Sequence, residues 1–476
     1  MPRFIQKPRM CAAAAILVCL ICLWAGSAVC EEEAPVFENV SVHDPSVILA
    51  DDGYYYIFGS HMAAARSADL MKWEMISTNA QEGCTLFEDV QTELEDVLAY
   101  CRSNTFWAPD VCRLKDGRYY YYYCACQGSS PLSMLGVAVS DKIGGKYTDL
   151  GVILKSGYSG YDATRLPNVV DPCVFYDNDG RLWMVYGSYS GGIFILEMDD
   201  ETGFPKEGQG YGKKLLGKNH SRIEGPYIMY SPETDYYYLF LSFGGLDSNG
   251  GYNIRVCRSK NPDGPYEDAL GQDMLSCGGK SGTFFNDVDY EGYGVKLLGG
   301  YKFRALPEET VKLQTAYRSP GHNSAIYDEK TGRYFLFFHT RFANNGESFT
   351  VRVHQFFMNQ DGWPVVSPYR YSGESGEAAE ADKRAGKYKV IFHLKDINAV
   401  EHTSEVMELL EDGTLSGFDG SWRCGDGSDF EITANGVTYK GRMFTAYEAT
   451  MGKWTTVFTA LSPSGEALWG SRSTAE

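Results

Sequence analysis

The chain of 476 residues is too long for a single hydrophobic core and has room for two or three domains. Apolar residues make up 44% and charged residues 22%, ordinary globular values that exclude disorder and collagen-like repeats. The net charge of -19 lacks the basic footprint of a nucleic-acid binder and reads as solubility, whereas 14% aromatics, with 34 Tyr, is unusual.

Arg3, Lys7 and Arg9 precede an apolar run from Cys11 to Ala25, followed by Gly26-Ser27-Ala28-Val29-Cys30. A basic start, a short apolar run and small residues describe a secretory signal peptide over residues 1–30, with cleavage after Ala28 or Cys30. The run is short for a membrane span. Ser27 sits where a lipid anchor on Cys30 would want a bulky aliphatic residue. The expectation is a secreted protein with no membrane association after cleavage. Four of the 13 Cys lie in this leader. The other nine, odd in number and irregularly spaced, read as buried small hydrophobes with room for one or two bridges. Cys124 and Cys126 share one face of a Tyr-rich strand without a second pair to make a zinc site.

A repeat organises the chain from residue 37 to about 370. Its units are a Pro-containing or polar turn, a β-branched residue, an acidic or Gly turn and a Tyr-rich strand. The first is His43-Asp44-Pro45-Ser46-Val47 before Asp52-Gly53, and the second is Trp107-Ala108-Pro109-Asp110-Val111 before Asp116-Gly117. The third is Val170-Asp171-Pro172-Cys173-Val174 before Asp179-Gly180, and the fourth is Glu224-Gly225-Pro226-Tyr227-Ile228 before Asp235. The fifth is His322-Asn323-Ser324-Ala325-Ile326 before Thr331-Gly332. With Ser324 aligned to the prolines, the preceding slot falls at 44, 108, 171, 225 and 323, at intervals of 64, 63, 54 and 98. Each interval accommodates four strands, and the last carries an insertion within 262–320.

Asp-Gly between apolar runs signals a hairpin. Strands apolar on both faces, such as Tyr54 to Phe58, belong to sheets sandwiched between neighbours. No amphipathic helix is evident in this region. Beyond Arg370, a Gly/Ala/Glu-rich stretch over 372–387 reads as a linker. Short alternating strands follow around Lys389–Phe392, Phe430–Thr433 and Thr455–Phe458. The fold class is therefore all-β, with a five-bladed β-propeller over 31–371 and a small C-terminal β-barrel-like domain over 388–476.

In a propeller the first strand of every blade lines the axis, so equivalent positions distant in sequence converge. The slot before Pro holds Asp44, Ala108, Asp171, Gly225 and Asn323, and the slot before that holds His43, Trp107, Val170, Glu224 and His322. Asp-Pro is also a common turn opener, so Asp44 or Asp171 alone reads as structural. Likewise Glu224 alone reads as a surface charge, His322 as a core histidine and Trp107 as packing. Joint placement changes that reading, because three crowded carboxylates push their pKa values apart and so separate their roles. Glycoside hydrolysis uses such a set, one carboxylate acting on a water and one protonated carboxylic acid at the leaving oxygen.

These motifs, with Phe106-Trp107-Ala108-Pro109-Asp110, Asn168-Val169-Val170-Asp171-Pro172 and Ser319-Pro320-Gly321-His322-Asn323-Ser324, resemble glycoside hydrolase family 43. Gly187-Ser188-Tyr189-Ser190-Gly191-Gly192-Ile193 and the C-terminal domain are most similar to the long two-domain endo-1,5-α-L-arabinanases of that family. The resemblance implies Asp44 as general base, Glu224 as general acid and Asp171 as the group that orients Glu224 and tunes its pKa. It also implies inversion at the anomeric carbon, with Asp44 and Glu224 carboxyls about 6.5–9.5 Å apart. By the same resemblance, Trp107 stacks on sugar, Asn168 and Ser188 bond arabinosyl hydroxyls, and His322 lies at an axial metal, a largely water-coordinated Ca2+. Arg341 fits an ion pair or a substrate contact and stays unassigned.

The implied substrate is arabinan or arabino-oligosaccharides. Two insertions depart from the family pattern, an acidic one over 84–101 (Cys84, Glu88, Asp89, Glu93, Glu95, Asp96) and a Gly-rich one over 277–301. Because loop insertions reshape a cleft rim, an exo-acting α-L-arabinofuranosidase or β-xylosidase remains the alternative within the enzyme class. Outside it stands a non-catalytic glycan-binding propeller, and a retaining five-bladed fructan hydrolase is a more distant alternative enzyme.

Overall fold

The computed structural model describes residues 34–128, 130–311 and 316–473; the leader expected over 1–30 lies outside them. Five sheets begin with the strands Ser46–Leu49, Asp110–Arg113, Cys173–Tyr176, Ile223–Ser231 and Tyr317–Asp328. The first four sheets have four antiparallel strands each, in chain order. The Tyr-rich second strand of the second blade, Tyr119–Cys126, is buried at every position because neighbouring blades cover both its faces.

Five apolar clusters close the ring, one between each pair of neighbours. Phe58 packs with Tyr121, Tyr122 with Met184, Val185 with Leu239, and Phe240 with Phe338. Ile57 packs with Phe337, joining the first blade to the last. The segment entering the first blade adds to this closure through Val351 N–H donating to Val40 O at 3.1 Å.

The fifth blade departs from the sequence alignment by one residue. Ser46, Asp110, Cys173, Tyr227 and Ser324 pair with Phe58, Tyr122, Val185, Phe240 and Phe337, so they are equivalent positions. His322, not Asn323, therefore occupies the slot of Asp44. Backbone geometry agrees, with φ of 58° at Asp44, 57° at Asp171, 58° at Gly225 and 45° at His322. Two register shifts between Arg318 and Ser324 supply the offset.

The acidic insertion of the first blade is helical over Val90–Glu93 and Glu95–Cys101, contrary to the expectation of no helix. The segments are too short to show a periodic pattern. They form because the Asp89 side chain caps Thr92 N–H and Val90, Val97, Leu98 and Cys101 turn inward. All nine cysteines among the described residues are unbridged, and seven of them are buried.

The C-terminal domain is an eight-stranded sheet that curls nearly shut, its edge strands Leu415–Ser416 and Gly420–Cys424 approaching through a Thr414–Ser421 bridge. It packs on the fourth and fifth blades, where Ile391, Phe444, Val457 and Trp469 share one core with Phe240, Tyr301 and Phe338. His402–Thr403 runs parallel to Tyr301–Lys302, which extends the sheet of the fifth blade to six strands. The stretch expected to be a linker is packed down, with Ser372, Glu374 and Ala379 buried. Among the described residues no helix is long and apolar enough to cross a membrane.

Candidate active site

A cavity of about 430 Å3 opens at one end of the propeller axis. All five blades line it: His43 and Asp44, Trp107, Asn168 and Asp171, Glu224, and His322. Every site residue expected from the sequence, Ser188 included, borders this cavity.

Asp44 is buried at the centre of an imidazole cluster. Its Oδ2 accepts from Ser60 Oγ and lies 2.7 Å from His43 Nδ1. Its Oδ1 lies 3.1 Å from His322 Nδ1 and 3.6 Å from His339 Nδ1. The Asp44 backbone N–H donates to His339 Nδ1 at 3.2 Å, which assigns the proton of neutral His339 to Nε2. Burial, then His43, hold His339 well below the usual imidazole range. For Asp44, burial alone pushes the carboxyl up, but His322, His43 and His339 outweigh it and hold the group well below the usual carboxylate range.

Glu224 is the second residue of the inner strand of the fourth blade, Ile223–Ser231. Tyr252 Oη donates to its Oε1, and Ser188 Oγ donates to its Oε2 at 2.7 Å. Asp171 Oδ2 accepts from Gly225 N–H at 3.2 Å, which ties it to the residue after Glu224. Burial drives both acids upward. In Asp171 the negative charges of Glu224 and Asp44 add to burial and carry the group well above the carboxylate range. In Glu224 burial prevails over His322, Tyr252 and Ser188, which pull it down. The directions are opposite, Asp44 being favoured as the carboxylate and the Asp171 and Glu224 pair as protonated acids, the sorting that acid–base chemistry requires.

Two glycines shape these positions. Gly225 takes φ of 58°, and a Cβ there would lie 3.2 Å from the His322 ring. Gly321 fills the slot equivalent to Glu224, where a Cβ would run into the Tyr252 ring. The missing side chain makes room for the tyrosine that reaches Glu224.

Trp107 is half-buried, its Nε1–H donating to Cys126 O at 3.2 Å. Asn168 Oδ1 accepts from Ser133 Oγ, and the Asn168 and Ser188 backbones pair. Arg341 Nε pairs with Glu347 at 2.7 Å, so it is a structural ion pair here and not a partner of Asp44. Sequence reasoning missed Tyr252, Ser60 and His339, which lie outside the repeated slots.

The donors on the axis suit a hydrated hard cation. His322 borders the cavity with an imidazole nitrogen 3.1 Å from Asp44, and the adjacent Asn323 is buried with neither amide atom partnered. The tighter trio His43, Asp44 and His339, with ligand atoms within 4.8 Å, is nitrogen-rich and engaged with itself, a poorer seat for calcium.

The family profile "Glycosyl hydrolases family 43" matches residues 33–286, and that of a C-terminal lipocalin-like domain matches residues 368–470. The chain belongs to glycosyl hydrolase family 43. This hydrolase is 53% identical over 448 residues to extracellular endo-α-(1→5)-L-arabinanase 2 of Bacillus subtilis, covering 92% of the chain and 94% of that protein. It is 47% identical to the extracellular endo-α-(1→5)-L-arabinanase of Thermotoga petrophila, covering 93% and 95%. The family 43 YxiA protein of Bacillus licheniformis superimposes with a TM-score of 0.89 at 52% identity, over 92% of this chain and 100% of that one. The crystal structure of the Thermotoga petrophila endo-1,5-α-L-arabinanase gives 0.88 at 45% identity, with the same coverage.

Proposed function

We propose that this hydrolase is a secreted endo-1,5-α-L-arabinanase that cleaves arabinan with inversion. The observation that carries the reading is the opposite tuning of carboxyl groups gathered in one cavity, Asp44 lowered chiefly by His322 and His43 and Glu224 raised by burial beside Asp171. The arabinanase names of relatives at 53% and 47% identity support the substrate, and the word extracellular in both names supports secretion.

In this mechanism Asp44 takes a proton from a water aimed at the anomeric carbon. Glu224 gives its proton to the departing sugar oxygen. Asp171, bound to Gly225 N–H, positions Glu224 and keeps its proton on until the bond breaks. General acid–base assistance of this kind contributes about 10²–10⁴-fold. Trp107 gives the sugar a stacking face, while the Asn168 amide N–H and the free lone pair of Ser188 meet arabinosyl hydroxyls. His322 would hold calcium, largely through water, and the ion would add positive charge beside Asp44.

The test is digestion of linear 1,5-α-L-arabinan followed by proton NMR. The first product is expected in the β configuration, with oligosaccharides preceding arabinose. An α product overturns inversion, arabinose alone from the outset overturns endo action, and activity on xylan but not arabinan overturns the substrate.

A further inference from the structure

The Gly-rich insertion in the fourth blade is no loose loop. Residues 277–291 are stitched to the segment 217–222 that leads into Glu224. Gly217 N–H donates to Cys277 O at 2.9 Å, Gly279 N–H to Ser221 Oγ at 2.7 Å, and Asn219 Nδ2 to Gly279 O at 2.9 Å. Arg222 forks onto Asp287, and its N–H donates to Tyr290 Oη at 2.8 Å.

At the tip of this braced loop two phenyl rings line the cavity, Phe284 at 66% exposure and Phe285 at 40%. Their centroids are 4.1 Å apart; His220 flanks Phe284 at 4.9 Å and Tyr189 meets Phe285 edge-on at 5.3 Å. The same side of the cleft concentrates left-handed backbone: φ is 50° at Tyr189, 22° at Ser190, 49° at Asn219, 57° at His220 and 52° at Phe285. A bulky ring in that region is strained, and such strain gathers where a ligand must be met. Phe285 N–H bonds His220 O at 3.2 Å, and His220 N–H bonds Ser190 O at 2.9 Å, so the strained residues form one chain. Two exposed rings on a fixed frame beside polar groups suit a ligand with both hydroxyls and C–H faces.

We infer that Phe284 and Phe285 form an aromatic platform for an arabinofuranosyl unit of the bound chain beyond those flanking the scissile bond, and so set a preference for longer chains. This rests on the arabinan reading and names further specificity-determining residues for it. Rigid mounting places the platform before substrate arrives, so little ordering is required on binding.

The experiment compares kcat/KM on arabinohexaose and arabinotriose. In Phe284→Ala/Phe285→Ala the hexaose-to-triose ratio is expected to fall about ten-fold, through KM, given ordinary stacking strengths. Phe284→Tyr/Phe285→Tyr keeps both ring faces and should hold the wild-type ratio, whereas Phe284→Leu/Phe285→Leu should follow alanine. If the alanine variant fails to fold, the leucine variant carries the comparison. An unchanged ratio in a folded ring-less variant, or equal loss on both substrates, overturns the platform alone. Wild-type inactivity on both overturns the arabinan reading and the platform with it.

Discussion

The two mouths of the propeller axis are nearly matched in size and opposite in chemistry. At the far end a second cavity, about 380 Å3, is also lined by all five inner strands, with Val47, Val111, Val174, Tyr227 and Ile326 among its walls. One of its buried acids, Asp110, accepts from Ser46 Oγ and from Val174 N–H at 2.6 Å. Asp328, also buried on this wall, accepts from Tyr55 Oη and Thr331 Oγ1, each at 2.8 Å, so both buried acids here are tied up by neutral donors. At the cleft end three carboxyl groups crowd together, two on left-handed backbone at Asp44 and Asp171. Cavity size therefore does not mark the site; convergent charge on strained backbone does.

The comparison breaks first at Glu224. Glu224→Gln keeps shape and removes the proton donor, so kcat on arabinan should drop about 10²–10⁴-fold while thermal stability changes little. Near-wild-type turnover would remove the acid assignment. Tyr252→Phe comes next. It deletes a donor that favours ionised Glu224, so the Glu224 pKa rises further and the alkaline limb of the kcat/KM profile moves to higher pH, with about a ten-fold loss of rate. A limb that stays put or moves to lower pH counts against the bond. Exhaustive chelation should lower activity or melting temperature through loss of a cation at His322; indifference to it argues against the metal.

The smallest effect on activity belongs to the far end. Burial pushes Asp110 up to about 6, with Ser46 and Val174 N–H pulling back. Between its unfolded value near 3.8 and about 6 the folded state holds the extra proton, so stability falls as pH rises through that window. At pH 8 the ionised buried group costs about 3 kcal/mol. Asp110→Asn should match wild type in melting temperature at pH 4, exceed it at pH 8, and hydrolyse arabinan at the wild-type rate. Loss of activity in this variant would erase the contrast between the two ends.

The architecture was legible because Asp-Gly hairpins and Tyr-rich strands recur blade after blade, and recurrence survives divergence at single positions. The acids were legible because they occupy the repeated slots. His322 was placed one residue out because backbone bulges leave no trace in composition. Tyr252, Ser60 and His339 reach the acids from elsewhere in the blades; only the empty Cβ position at Gly321 reveals why a tyrosine fits there. The short helices of the first blade rest on one cap and four inward residues, too little for a periodic signal. The stretch after Tyr371 reads as a tether by composition, yet Ala379 is packed because Ala378 bridges to Phe444 in the barrel.

The parallel pairing of His402–Thr403 with Tyr301–Lys302 makes the final blade a shared possession of both domains. Lys389, from the barrel, meets Glu309, from the propeller side, with both side chains sealed from water, and Glu448 at 2.7 Å. Severing the chain after residue 371 would strip a strand from that sheet, take Lys389 away from Glu309 and bare Tyr301, Phe303 and Tyr369 to solvent. The hydrolase thus holds together as a single piece, its barrel acting as a brace across the fourth and fifth blades.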